Sequence, residues 1–174
     1  MSLEEQIRNI PDFPIEGIQF KDITPLLRDP ESLRLAIEQM AARHVQDRID
    51  CVVGIEARGF ILGTPLAYLL HAGFVPVRKP GKLPAQTVGA EYSLEYGVNR
   101  LEMHRDAIKP GDRVLVVDDL LATGGSARAA AELVENVGGI VAGMSFLIEL
   151  GFLHGRDKLT DYDVHSLITF KEGS

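Results

Sequence analysis

The sequence predicts an α/β domain with a central, mainly parallel sheet flanked by helices. Three observations predict it. Apolar runs of strand length alternate with segments of helical periodicity along most of the chain. The strongest strand signal, Val114-Leu115-Val116-Val117, leads through two acids and a small-residue loop into a helix rich in Ala. The length, 174 residues with 45% hydrophobic side chains, supports one domain with a real core and is too short for two.

Taken in order, Asp29-Pro30 opens a helix, because Asp caps and Pro suits the first helical position. Leu33, Ile37, Met40, Ala41 and His44 then mark one face at helical spacing. Cys51-Val52-Val53-Gly54-Ile55 reads as a short buried strand, 60–71 as the helix after it, and 74–78 as the next strand. Pro110-Gly111-Asp112 forms the turn before the strand at Val114. The Ala-rich helix runs over 126–137 and ends at Gly138-Gly139. Further strands are predicted over 140–150 and 164–170. Residues 80–104 break this rhythm, with Gly81, Pro84 and Gly89 interrupting them. There, 93–96 and 100–103 read as hairpin arms around Gly97-Val98-Asn99, and an insertion of this kind between core strands predicts a mobile lid.

Composition excludes several function classes. A single cysteine, Cys51, cannot form an internal disulfide or a four-thiolate zinc site. The N-terminal segment is charged and amphipathic, unlike a signal peptide, and no apolar stretch is long enough for a membrane span. No membrane partner and a cytoplasmic location are therefore expected. The formal net charge of −7 argues against a nucleic-acid partner, which demands a basic face. Where cations cluster, at Arg78, Lys79 and Lys82, they suit a small polyanion.

The chemistry concentrates in Val114-Leu115-Val116-Val117-Asp118-Asp119-Leu120-Leu121-Ala122-Thr123-Gly124-Gly125-Ser126. Ligands of open α/β sheets bind outside the carboxyl ends of the strands. Free amides at a helix start attract anions. Gly124 and Gly125 let the backbone curl close to a phosphate, while Thr123 and Ser126 add hydroxyl donors. Asp118 and Asp119 would repel that phosphate on contact; they suit the hydroxyls of a sugar and the vicinity of Mg²⁺. Other nucleotide loops fail on spacing. No Gly-x-Gly-x-x-Gly occurs, and Phe60-Ile61 stand where a Walker loop starting at Gly54 needs Lys-Ser/Thr.

This segment resembles the phosphoribosyl-pyrophosphate signature of type I phosphoribosyltransferases. The stretches Pro11–Leu27, Gly54–Phe60, Arg78–Pro84 and Tyr92–Gly97 resemble the adenine-specific branch of that family, so the likeness covers nearly the whole chain. It implies the type I phosphoribosyltransferase fold as a single domain over 1–174, with a small N-terminal hood at about 1–30 and a lid hairpin at about 80–104. It implies a homodimer that takes adenine and phosphoribosyl pyrophosphate and gives AMP and pyrophosphate, as in purine salvage. Mg²⁺ is the implied cofactor, held mainly by substrate and water.

Carried onto this sequence, Ala122, Thr123, Gly124, Gly125 and Ser126 match the 5′-phosphate loop, with Ser126 where the family more often has Thr. Asp118 and Asp119 match the acids facing the ribose hydroxyls. Glu56, Ala57 and Arg58 match the pyrophosphate loop, for which the resemblance implies a cis Glu56–Ala57 peptide. Arg78, Lys79 and Lys82 match a second set of cations. Ile18, Gln19, Phe20 and Lys21 match the adenine segment. Phe20 is implied to stack on the purine, the Lys21 backbone to read its edge, and Leu150 to wall the other side. Glu95 and Tyr96 match lid residues implied to act on the purine proton and the departing phosphates, beside Arg58; Glu102 is a second carboxylate that sequence alone leaves open. Two other readings stand beside this one: a transferase acting on an oxopurine, and a regulator that binds phosphoribosyl pyrophosphate without catalysis.

Overall fold

The computed structural model describes residues 2–94 and 96–174. Five strands, β3 (Cys51–Ile55), β4 (Gly73–Val77), β7 (Arg113–Leu121), β8 (Ile140–Leu150) and β9 (Val164–Phe170), form one parallel sheet in the order β4-β3-β7-β8-β9. Parallel strands need crossovers, and helices supply them. α3 (Arg58–Leu69) joins β3 to β4, and α4 (Gly125–Asn136) joins β7 to β8. β3 is buried at every residue, as expected for a strand covered on both faces. One apolar cluster packs α4 and the hairpin onto the sheet around Val53, Val116, Leu133 and Phe146. The other packs α2 (Pro30–Ala42) and α3 onto the opposite face around Met40, Leu66, Leu115 and Leu147.

Local chemistry explains where elements begin. The Asp29 carboxylate accepts from the Ser32 amide at 2.8 Å, capping α2, and Pro30 occupies its first position. The predicted face of that helix is the packed one, with Ile37, Met40 and Ala41 buried. Two small additions flank the sheet. β1 (Arg8–Ile10) and β2 (Phe20–Asp22) pair antiparallel, and the short helix α1 (Thr24–Arg28) follows. Asp22 fastens this unit: it accepts from Arg8 at 2.6 and 3.0 Å and from the Thr24 amide at 2.9 Å. Burial opposes its ionisation, but these hydrogen bonds and the Arg8 charge outweigh burial and hold its carboxyl below the usual range. Neither short strand nor α1 carries enough periodicity to be predicted.

The hairpin differs from expectation. Its arms, β5 (Thr87–Leu94) and β6 (Gly97–His104), are eight residues each, and Leu94 pairs with Gly97. The connection therefore falls two residues before the predicted Gly97-Val98-Asn99 turn. Gly97 enters β6 at φ 111°, a conformation that glycine reaches without strain. Elsewhere β7 extends beyond 114–117 to Leu121, because Asp118, Leu120 and Leu121 continue its ladder with β8. Among the described residues, no helix is long and apolar enough to cross a membrane.

Candidate active site

The carboxyl ends of β3 and β7 and the start of α4 enclose an open cleft of about 240 Å³. Glu56, Ala57, Arg58 and Tyr92 line one side, and residues 118–124 with Ser126 and Ala127 line the other. The loop between β7 and α4 turns at Gly124, whose φ of 86° favours glycine, and α4 starts at Gly125. Its first amides have no partners within the helix, so their positive dipole ends point out of the helix start. No side chain caps this terminus, which leaves it open to an anion. Gly125 itself faces Tyr92: a Cβ there would stand 3.0 Å from the Tyr92 ring.

The acids stand at the sheet end of the same cleft. Asp119 is only 6% exposed, and its Oδ2 accepts from Arg58 Nε at 2.5 Å. Asp118 Oδ1 accepts from the Asp119 amide at 2.8 Å. Burial, and then the neighbouring Asp119 charge, push the Asp118 carboxyl well above the ordinary range. Gly59 explains how Arg58 comes this close. A Cβ at Gly59 would sit 3.0 Å from the Val117 carbonyl and 3.1 Å from Asp118 Oδ1. With glycine there, α3 packs hard against β7 and delivers Arg58 to Asp119.

The pyrophosphate-loop candidates are tied together. The Glu56–Ala57 peptide is cis, as the resemblance implies. Glu56 Oε1 accepts from Arg78 Nε at 3.0 Å and from the Lys79 amide at 3.1 Å. Burial opposes ionisation of Glu56, but the Lys79 amide and Arg78 outweigh it and hold its carboxyl below the usual range. Lys79 and Lys82 have exposed side chains beside this junction. Arg78 also pairs with Glu102 through reciprocal backbone hydrogen bonds of 2.9 and 2.7 Å, which joins the β4 end to the hairpin.

The adenine-segment candidates divide between two places. Phe20 packs edge-on against Phe13 at 5.1 Å, and the Arg58 guanidinium lies 5.4 Å from its ring centre. Gln19, Lys21 and Leu150 instead line a neighbouring cleft of about 370 Å³, shared with Phe152 and the C-terminal residues. There, Lys21 Nζ donates to the Ser174 carbonyl at 2.8 Å and lies 4.1 Å from the Phe170 ring. Ile18 is exposed at the edge.

Of the lid candidates, Glu95 lies outside the described residues. Tyr96 stands at the hairpin tip, 90% exposed and away from the cleft. Glu102 faces the hairpin base, where Oε1 accepts from the Gly81 amide at 3.0 Å. The residue that sequence reasoning missed is Tyr92. It shares a strand face with buried Ala90, two positions earlier, and that alternation was the available signal. Among the described residues, no group of three or more His, Cys, Asp or Glu side chains is arranged to hold a metal ion.

An uncapped helix start after a glycine turn, paired acids and an arginine at the end of a parallel sheet fit a phosphoribosyl-binding class. Consistent with this, the family model for the phosphoribosyl transferase domain matches residues 24–172. The adenine phosphoribosyltransferase of Clostridium perfringens is 61% identical over 170 residues, 98% of this chain and 99% of that protein. The crystal structure of the Thermoanaerobacter pseudethanolicus adenine phosphoribosyltransferase superposes with a TM-score of 0.94 at 56% identity, covering 97% of this chain and 100% of that one. The Saccharomyces cerevisiae adenine phosphoribosyltransferase, complexed with an imino-altritol bisphosphate and adenine, gives a TM-score of 0.88 at 43% identity, covering 95% of this chain and 96% of that one. The chain belongs to the phosphoribosyltransferase family, within its adenine phosphoribosyltransferase branch.

Proposed function

We propose that this chain transfers the 5-phosphoribosyl group from phosphoribosyl pyrophosphate to adenine, giving AMP and pyrophosphate. The observation that carries the reading is the single cleft in which the open α4 start, Asp118, Asp119 and Arg58 converge. The membership of the adenine branch supplies the base.

In this reading the 5′-phosphate sits on the amides that open α4, with Thr123 and Ser126 hydroxyls beside them. Asp118 and Asp119 accept from the ribose hydroxyls. Arg58 turns from Asp119 to the diphosphate, where a guanidinium can bind two oxygens at once. Arg78, Lys79 and Lys82 add positive charge on the same side. Bond breaking leaves positive charge on the sugar and negative charge on the diphosphate, and fixed cations favour the second. Phe20, already beside Arg58, stacks on the purine, and the Lys21 backbone and Leu150 complete the base site. Glu95 holds the purine proton, and Tyr96 supports the leaving phosphates once the hairpin folds over and excludes water.

Mg²⁺ fits this donor set. Asp118 and Asp119 would stand near the ion and share it mainly through water, in a cleft where the described residues form no three-ligand cage. The ion would take its other ligands from diphosphate and water, and when bound would draw off charge from the leaving group. The hood, the lid, a homodimer and residence in the cytoplasm complete the reading, supported by family membership and the sequence resemblance.

The deciding experiment offers adenine, hypoxanthine, guanine and xanthine separately with phosphoribosyl pyrophosphate and Mg²⁺. Turnover confined to adenine is expected. Folded protein that turns over an oxopurine and not adenine, or that binds the donor and releases no pyrophosphate, would overturn the proposal.

A further inference from the structure

Two glycines meet back to back behind the phosphate loop. Residues 155–158 form a 3₁₀ turn after β8. A Cβ at Gly124 would collide with the Gly155 carbonyl, and one at Gly155 would collide with the Ala122 carbonyl. The Gly155 position would also press Leu121 at 3.0 Å. The loop that opens α4 thus has one face toward the cleft and the other directly on the Gly155 backbone.

The turn itself is held in place from three directions. Arg156 Nε and Nη2 donate to the Glu149 carboxylate at 2.8 and 2.9 Å, a two-pronged pair at the end of β8. Arg156 Nη1 donates to the Val164 carbonyl at 2.8 Å, at the start of β9. Leu159, 1% exposed, is buried in the core just beyond the turn. Glu149 is 6% exposed, and its carboxyl is held below the usual range: burial opposes ionisation, but the Arg156 hydrogen bonds and the Arg156 charge outweigh it. A planar guanidinium fork fixes direction as well as distance. With both flanking strand ends bound, Gly155 has a fixed place, and the curve of residues 122–124 is formed against it.

We propose that Gly155 and the Glu149–Arg156 pair act as a rigid backing that shapes the 5′-phosphate loop, making Arg156 a positioning residue for the phosphoribosyl donor. It touches neither substrate nor reacting atoms. The inference rests on the reading of residues 122–126 as the 5′-phosphate site. Loop amides bind phosphate only if their N–H groups converge, and a small misalignment loses much of each charge-assisted contact.

The test compares Arg156→Ala, Arg156→Lys and Gly155→Ala with the unaltered enzyme and with Arg34→Ala, a surface control. Steady-state rates are measured against both substrates, and binding of ribose 5-phosphate is measured by calorimetry without turnover. In Arg156→Ala, the KM for phosphoribosyl pyrophosphate should rise about tenfold or more, as expected from weakening one charged hydrogen bond. Neither kcat nor the KM for adenine should move comparably, and ribose 5-phosphate should bind more weakly in step. Arg156→Lys should fall between, because an ammonium keeps the charge and loses the fork. Gly155→Ala should act in the same direction by pushing on Ala122. A folded Arg156→Ala or Gly155→Ala enzyme with unaltered donor KM and unaltered ribose 5-phosphate binding overturns the proposal. So does an equal loss of kcat and both affinities with Lys no better than Ala, which marks a purely structural role. Wild-type protein that binds ribose 5-phosphate but ignores adenine would count against the adenine reaction and leave the backing testable.

Discussion

Replacing Asp119 with Asn separates folding from chemistry at one atom pair. Asp119 Oδ2 accepts from Arg58 Nε at 2.5 Å, and the Arg58 side chain is 45% exposed. Ion pairs with that much water contribute about 0.2–1 kcal/mol. Losing this pair is offset in part by removing a negative charge beside Asp118. For a chain of this length, a net change within about 1 kcal/mol moves the melting temperature by roughly 2–4 °C. The ligand side is far more sensitive. A hydrogen bond to a charged group contributes about 1.5–3 kcal/mol against about 0.5–1.5 for a neutral one, so a carboxylate accepting from a hydroxyl gains roughly 1–1.5 kcal/mol over its neutral replacement. Two such contacts in the proposed ribose site place the loss at about 2–3 kcal/mol, or up to about a hundredfold in kcat/KM. Initial rates of pyrophosphate release, with thermal unfolding on the same preparation, measure both quantities. Activity within a few-fold of wild type would remove Asp119 from the sugar site. Activity lost only in step with unfolding would show that the carboxylate serves the fold.

Glu95→Gln should lower kcat by about a hundredfold, the loss for one well-placed electrostatic contact, with both KM values little changed; full turnover in that variant would exclude Glu95 from proton handling. Asp118→Asn should stabilise the protein more at pH 8 than at pH 4.5. Its folded carboxyl titrates above the unfolded one, so its contribution to stability is present at acid pH and is lost as pH rises through the folded value. Equal gains in melting temperature at the two pH values would contradict this. Cys51 is buried, and burial first, then the charges of Asp112 and Asp50, push its thiol up to about 11. It should resist a thiol reagent at pH 8 in native protein and react on unfolding; fast native labelling would refute the burial.

The central part of the site could be read in the sequence because it is contiguous. From Val114 to Ser126, one strand, one turn and one helix start place acids, glycines and hydroxyls by local geometry alone. The same holds for Asp29-Pro30 and for β8 and β9, whose predicted limits match the observed strands. Reading failed where long-range packing chose the outcome. The hairpin connection was set by pairing across the arms, so Gly97 entered a strand rather than a turn. Tyr92 reached the cleft because Gly125 has no side chain to keep its ring away. Residues 155–156 carry no recognisable local pattern. Their importance appears only when β8 and β9 bring them behind a loop more than 30 positions earlier in the chain. Arg58 shows the mixed case: its motif was visible, whereas its partnership with Asp119 depends on how closely Gly59 lets α3 approach β7.

The Arg58–Asp119 pair also bears on how the cleft keeps its shape. A cleft crowded with like charges tends to swell or to draw in stray ions. Here a half-exposed cation at the start of α3 rests on a buried acid of β7. In the proposed reaction the guanidinium would pass to the diphosphate while Asp119 turns to ribose hydroxyls, so the carboxylate would keep hydrogen bonds but give up its counter-charge. In that reading the sugar phosphate would meet a guanidinium already partly dehydrated by its contact with Asp119.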